Sequence, residues 1–425
     1  MQVMFGDNGA PVVVLHPRVQ LRVSQTFPPR LGCVDLLRGI VMVLMALDHS
    51  RSFFSSLHFA PEDVANTSGT LFFTRWLTHF CAPVFFLLAG TGPSLSLSQG
   101  RSVQQISRLF WTRGLWIVFL ALTVVSYAWT YIFPFWFSDV LWSLGWSMVA
   151  MALLIRLPVS AVATVGVVIV LTHNLLDRMT PAAFGTLAPF WVILHGHGWF
   201  WIKPGKLGFF VLFALIPWIG VMAVGYALGF LLQRANWRKL IFSIGAILTL
   251  AFALLRVFHL YGNSQSSLLP WAEGIAGPWR VQPTLILTIV SFFNTVKHPA
   301  SLQFLLMTLG PALMALPWLD RIKPDRGPAR ILLVFGRAPL FFYVLHLFLI
   351  HSMAVWTALV LHQPAAWLLY GGPLLQAPPL GYGHGLPFIY AMWATALALL
   401  YPVCKWFMNF RQQHPEYWWL TSPVN

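Results

Sequence analysis

The sequence predicts an all-α fold: a polytopic integral membrane helical bundle of about ten transmembrane helices, with room for an eleventh. Composition is the first reason, since 58% of the residues are hydrophobic and 9% are charged, against about 25% charged in a soluble globular domain. The second is that apolar runs near twenty residues recur along the chain, each long enough for a hydrocarbon core of roughly 30 Å. The third is the placement of the cations. The formal net charge is +15, but the basic residues fall a few at a time between apolar runs. They do not gather into the single patch that nucleic-acid binding needs.

Taken in order, the runs place spans at 34–56, 70–97, 110–132, 138–156, 158–176, 208–232, 239–259, 300–319, 337–361 and 386–408. The stretch 281–296, "VQPTLILTIVSFFNTV", has an apolar core of about a dozen residues, which favours a re-entrant or interfacial segment over an eleventh span. With both termini in the cytoplasm, sixteen Lys and Arg fall inside and eight outside, with Arg38 and Arg337 left within helices. The positive-inside rule therefore sets that orientation. Residues 1–30 read as a cytoplasmic tail, because "APVVVLHP" is too short and proline-bounded for a secretory h-region. Residues 31–410 form one membrane domain, and 411–425 a second cytoplasmic tail. Long loops at 57–69, 177–207, 260–299 and 362–385 fall on the far side, and long aromatic loops above a helical bundle predict a roofed cavity. Cys33, Cys81 and Cys404 match neither a disulfide framework nor a Cys-rich metal site.

The leading span is the one whose polar residues need explaining. Asp35 and Asp48 are thirteen residues apart, about 20 Å along a helix, so they cannot both clear a core of roughly 30 Å. Its uninterrupted apolar segment, "GIVMVLMAL", has nine residues, and the charged ends need protein or water around them. Asp35, Arg38, Met42, Met45 and His49 follow helical spacing along one face, and Asp35 can neutralise Arg38. In the second span His79 lies nine residues below Thr70, much as Asp48 lies eight below Ser56. Antiparallel neighbours would bring Asp48, His49 and His79 to similar depth, with Arg75 one turn above His79. Such residues either lock helices together through hydrogen bonds or carry substrate, protons or chemistry.

The block "VDLLRGIVMVLMALDHSRSFF", followed by "HFAPEDV" and "LFFTRWLTHFCAPVFFLLAG", resembles the bacterial branch of the heparan-α-glucosaminide N-acetyltransferase-like transmembrane acyltransferases. So do "LIPWIGVMAVGYALG", "NTVKHPASLQFLLMTLGP", "FGRAPLFFYVLHLFLIH" and "YPVCKWF", so that the likeness covers nearly the whole chain beyond residue 30. The resemblance implies transfer of an acetyl or other acyl group from cytoplasmic acyl-CoA to an extracytoplasmic sugar or cell-envelope acceptor, in a bacterial inner membrane. It also implies a catalytic pair at Asp48 and His58, with an aspartate where the animal lysosomal enzyme has asparagine and one residue fewer between the two. An imidazole is the side chain best matched to taking the acceptor's proton near neutral pH. His58 is then base or acyl carrier, and Asp48 orients it. His79, His49 or Arg75 would polarise the thioester or hold the acceptor. Acetyl-CoA or another acyl-CoA is the expected co-substrate, and Arg38 and Arg337 are the candidates for its phosphates.

No metal is expected. His195 and His197 in "HGHGWFW" have metal-like spacing without a nearby carboxylate, and His346 and His351, five apart, fall on different helix faces. The expected partners are acyl-CoA, a sugar or glycan acceptor, the lipid bilayer and a second copy of the chain as a homodimer, with no nucleic acid. A transporter or flippase using intramembrane charges is the reading from another class. It would place the polar site near mid-membrane, where catalysis predicts a fixed cluster at one end.

Overall fold

The computed structural model describes residues 2–5, 11–14, 32–203, 207–263, 276–323 and 327–414. Arg18, Arg22, Arg30, Lys206 and Arg326, counted above for topology, lie outside them, as does most of the 411–425 tail. Residues 2–5 and 11–14 form an antiparallel strand pair in a unit of their own, Met1–Arg30.

Every expected span contains a helix. In chain order the helices are α1 (Gly32–Phe54), α2 (Gly69–Ser98), α3 (Val103–Thr130), α4 (Val140–Leu154) and α5 (Val159–Thr172). They continue with α6 (Leu215–Leu231), α7 (Trp237–Val257), α8 (Leu302–Leu319), α9 (Pro339–Val360) and α10 (Leu386–Gln413). Among the described residues seven helices, α2, α3, α5 with its 3₁₀ extension, and α7 to α10, are long and apolar enough to cross a bilayer. The others depart for separate reasons: α1 carries Asp35, Arg38, Asp48 and Arg51, while α4 and α6 have 15 and 17 residues. The doubtful stretch 281–296 holds a nine-residue helix, Leu285–Phe293, about 14 Å long and too short to span.

The polar ends of α1 dictate where it sits. It is lined by α2, α8, α9 and α10, and by an amphipathic helix, Gly327–Arg337, so that protein surrounds it along its length. That environment is what its short apolar segment requires. A Cβ on Gly39 would come within 2.0 Å of the Leu332 carbonyl oxygen, and one on Gly336 within 2.0 Å of the Asp35 carbonyl oxygen. Only glycine permits this close crossing. Arg337, expected inside a spanning helix, instead ends the amphipathic one. The chain breaks at Ala338 because Pro339 disfavours helical geometry in the residue before it, and α9 restarts with that proline at its first position.

The end of the bundle that carries Phe54 is called the upper face. A three-stranded sheet unforeseen in the sequence caps it: Trp136–Ser138 runs parallel to Leu207–Val211, which pairs antiparallel with Gly198–Lys203. The expected span from residue 208 therefore begins as a strand, with α6 starting at Leu215. Backbone that leaves a helix at this level needs hydrogen-bond partners, and the sheet supplies them.

Candidate active site

The polar residues of α1 and α2 meet at the upper face in one ion network. Asp48 Oδ2 accepts from Arg75 Nη1 at 2.5 Å, and Asp48 Oδ1 from Arg51 Nη2 at 3.2 Å. Arg75 turns its Nε onto Glu62 Oε1 at 2.7 Å, and His79 Nε2 reaches the same oxygen at 3.4 Å. Asp48, Glu62, Arg51 and Arg75 are 15%, 8%, 9% and 6% exposed at their side chains, so two carboxylates and two guanidiniums neutralise one another out of water. Such charges persist in a low-dielectric setting only when paired and hydrogen-bonded. Burial pushes Glu62 up, but the Arg75 guanidinium beside it and the His79 hydrogen bond hold its carboxyl below the usual glutamate range. The loop bearing Glu62 is anchored by Asn294, whose Nδ2 donates to the Glu62 carbonyl at 2.9 Å.

Pro83 helps to present His79. Proline has no amide hydrogen to bond the carbonyl four residues back, and the α2 ladder loosens there, with the His79 amide donating to Trp76 at 3.0 Å. His49 faces the other way. Its Nδ1 lies 2.6 Å from His346 Nε2 on α9, with the rings stacked at 4.8 Å. Beside this pair Tyr343 donates to Asp139 Oδ2 at 3.1 Å, while Asp139 Oδ1 caps α4 by accepting from the Trp142 amide at 2.8 Å.

Several of these groups border a cavity of about 170 Å³, whereas Glu62, His79 and His346 stand behind its lining. Asp48, His49, Arg75, Asp139, Lys297 and Tyr343 form its polar wall, Met45 and Phe85 its floor, and Leu57, Phe59, Gln376 and Pro378 its rim. The rim loop is stapled to α1: Tyr382 donates to the Phe53 carbonyl, and the His384 amide to the Phe54 carbonyl at 2.8 Å. Gly383 has φ +89°, and a Cβ there would come within 2.5 Å of the Ser55 carbonyl oxygen.

Of the residues singled out in the sequence, Asp48, His49 and Arg75 meet in the chamber. His79 lies behind Glu62 and outside the lining. His58 is exposed in the loop after α1, while its neighbours Leu57 and Phe59 face the chamber; the Asp48 carboxylate is held by arginines rather than by His58. Arg38 and Arg337 sit at the opposite end, bound to Asp35 at 3.0 and 3.3 Å. The chamber stops at Met45 and Phe85 and does not reach them. His195, read as lacking a carboxylate, has Asp177 Oδ1 at 2.8 Å, and among the described residues no three His, Cys, Asp or Glu side chains are placed to hold a metal.

Sequence reasoning missed Glu62, Lys297 and the Asp139–Tyr343 pair, and weighed His346 only as a metal ligand with His351. His346 carried a usable signal, an ionisable side chain within an apolar run. Glu62 and Lys297 gave none, since loops commonly carry charge.

The family model described as heparan-alpha-glucosaminide N-acetyltransferase, catalytic, matches residues 30–264. Comparison with curated proteins gives no match. The matched region holds Asp48, His49, Glu62, Arg75 and His79, whereas Lys297 and His346 lie beyond it. With more than half of its 425 residues matched, this membrane protein belongs to the heparan-alpha-glucosaminide N-acetyltransferase catalytic-domain family.

Proposed function

We propose that the protein is an acyl-CoA-dependent transmembrane acyltransferase, working in a bacterial inner membrane with its upper face outside the cytoplasm. It passes an acetyl or similar acyl group to a hydroxyl or amine of a sugar or other cell-envelope acceptor. One observation carries this reading: ionisable groups from α1, α2, α9 and the segment before α8 converge on one chamber at one end of α1. Asp48 is six residues from the end of a 23-residue helix, about 9 Å along some 35 Å. A transport site would sit near the middle.

The remaining parts fit the same chemistry. Arg75 and Lys297 supply cations to the charge that grows on a thioester carbonyl under attack. At the lower end, Arg38 gives Nη1 to Asp35 and the Gly336 carbonyl, and Arg337 gives Nε to Asp35. Their guanidiniums carry further N–H groups beyond these bonds, and such a fork suits the phosphates of CoA. The pantetheine arm then has to pass Met45 and Phe85, so the reading requires those two side chains to part. Methionine, unbranched and adaptable, is suited to such a gate. His58, at the rim, meets the acceptor as it enters.

Purified protein incubated with labelled acetyl-CoA and a panel of amino sugars and glycan hydroxyls tests the proposal. Label should pass to an acceptor, and Asp48→Asn should slow the transfer by about tenfold or more, as for loss of an interaction of about 1.4 kcal/mol or more in the transition state. Absence of thioester turnover with every acceptor would refute it.

A further inference from the structure

We propose that His49 and His346 act as one proton-handling pair: His49 Nε2 is the base that takes the acceptor's proton, and His346 is the positioning residue that decides which His49 nitrogen is bare. This rests on the acyl-transfer reading and deepens it by naming the base. One of the two residues stands on α9, outside the family match.

The assignment follows from donors and acceptors. His346 Nδ1 lies 3.0 Å from the Phe342 carbonyl oxygen; a carbonyl only accepts, so Nδ1 carries the hydrogen. In a neutral imidazole the other nitrogen is then bare, and His346 Nε2 must accept. The atom 2.6 Å from it is His49 Nδ1, which must donate. The lone pair of His49 is left on Nε2, on a ring that lines the chamber and makes no other hydrogen bond among the described residues. Neighbouring rings fix the pair: Phe342 stacks on His346 at 5.1 Å, and the Trp129 edge meets His49 at 4.7 Å. This is how a buried partner selects a catalytic tautomer in the triad logic, with an imidazole in the place of the carboxylate.

In the step proposed, an acceptor O–H or N–H bond breaks and its proton moves to His49 Nε2, while the freed electron pair attacks the thioester carbonyl carbon. His49 becomes an imidazolium, its Nδ1–H still held by His346. The tetrahedral oxyanion collapses, the C–S bond breaks, and the CoA sulfur leaves with the proton from His49 Nε2. The products are the acylated acceptor and free CoA thiol, and the pair returns to its starting state. The charged and titratable groups that line the chamber around it are Asp48 and Arg51 on α1, Arg75 and Cys81 on α2, Asp139 before α4, Lys297 and His298 before α8 and Tyr343 on α9.

Two measurements on the full-length protein test this. In steady-state kinetics carried from about pH 8 down, past the ordinary imidazole range of about pH 5–8, to the lowest pH at which the protein stays folded, His49→Gln should lower kcat by about 10²- to 10⁴-fold and abolish the acidic limb of the profile. His346→Leu should lower kcat by about 10²-fold with the KM for acetyl-CoA unchanged, whereas His346→Gln, whose side-chain oxygen can accept the Nδ1–H, should recover most of it. An acidic limb that survives His49→Gln, or equal losses for Leu and Gln at 346, would overturn the pair while leaving acyl transfer intact. Nitrogen-15 spectra of histidine-labelled protein, assigned with the same variants, should show a bare Nε2 on His49, and a bare Nδ1 there would overturn the tautomer without reference to activity. If wild type turns over no acyl-CoA, the acyl-transfer reading fails and the base assignment falls with it.

Discussion

Arg75→Met removes a cation that serves two carboxylates, Glu62 buried and Asp48 largely so, and the cost can be worked from the contacts. Asp48 loses a partner at 2.5 Å and keeps Arg51 at 3.2 Å; Glu62 loses one at 2.7 Å and keeps His79 at 3.4 Å. Breaking a buried ion pair by deleting one partner costs about 3–5 kcal/mol, because a charge is left without compensation. With Arg75 at 6% side-chain exposure, the discount that applies to surface pairs does not apply here. Each carboxylate retains a weaker partner, so the loss should stay within that range rather than double it. Adding Glu62→Gln removes one of the stranded charges and should restore roughly half of the loss, about 2 kcal/mol; the coupling energy is that recovery plus the cost of Glu62→Gln alone, so it should exceed about 2 kcal/mol. Arg75→Lys should fall between, since a point-charge ammonium cannot hold two carboxylates in the geometry of a planar fork. Denaturant unfolding in mixed micelles, followed by circular dichroism, measures each of these forms. Effects of Arg75→Met and Glu62→Gln that add to within about 0.5 kcal/mol would refute the bridge.

The pH dependence of stability follows from Glu62, whose folded carboxyl is held below the ordinary glutamate value of about 4.3. Its contribution is complete above that value and is lost as pH falls toward the folded one, because the unfolded chain takes up the proton first. The stability gap between wild type and Glu62→Gln, measured by the same unfolding assay, should therefore be constant near neutrality and narrow below about pH 4.3. Gly383→Ala places a Cβ against the Ser55 carbonyl at a positive φ and should loosen the rim, seen as a raised acceptor KM and faster proteolysis of the 362–385 loop. Arg38→Gln and Arg337→Gln should each raise the KM for acyl-CoA about tenfold, the equivalent of one charge-assisted hydrogen bond of roughly 1.5 kcal/mol, with the acceptor KM unmoved. His58→Ala should raise the acceptor KM more than it lowers kcat, and a kcat loss as large as that of His49→Gln would move the base to the rim.

The membrane class, and a helix within every expected span, were legible because apolar length and charge placement are properties of local sequence, although seven of those helices are long and apolar enough to cross a bilayer among the described residues. Boundaries were less so. Hydropathy draws Arg337 into a span because it weighs apolar content and not backbone geometry; at Pro339 the chain turns from an amphipathic helix into α9. The strand Leu207–Val211 merges into a span for a related reason, since an aromatic run reads as apolar in either conformation. In the site, Asp48, His49 and Arg75 stood out as charges in oily surroundings, whereas the contact of His49 with a residue 297 positions away has no local trace. His58 sits close to Asp48 in sequence, yet Leu57 and Phe59 take the chamber-facing positions on either side of it.

The aspartate at position 48 connects the ion network to the base. An uncharged asparagine at this depth would need hydrogen bonds alone, but a carboxylate needs cations as well. Arg51, three residues along α1, and Arg75, on the facing helix, supply them at opposite oxygens. Arg75 in turn carries a charge beyond what one shared carboxylate can balance, and Glu62 answers it from the loop. The series closes electrically with His79 at its far end and His49 outside it, paired instead with His346. A network that is charge-balanced without the imidazole that lines the chamber leaves that imidazole available to gain and lose a proton, as an acyl transfer at this site demands.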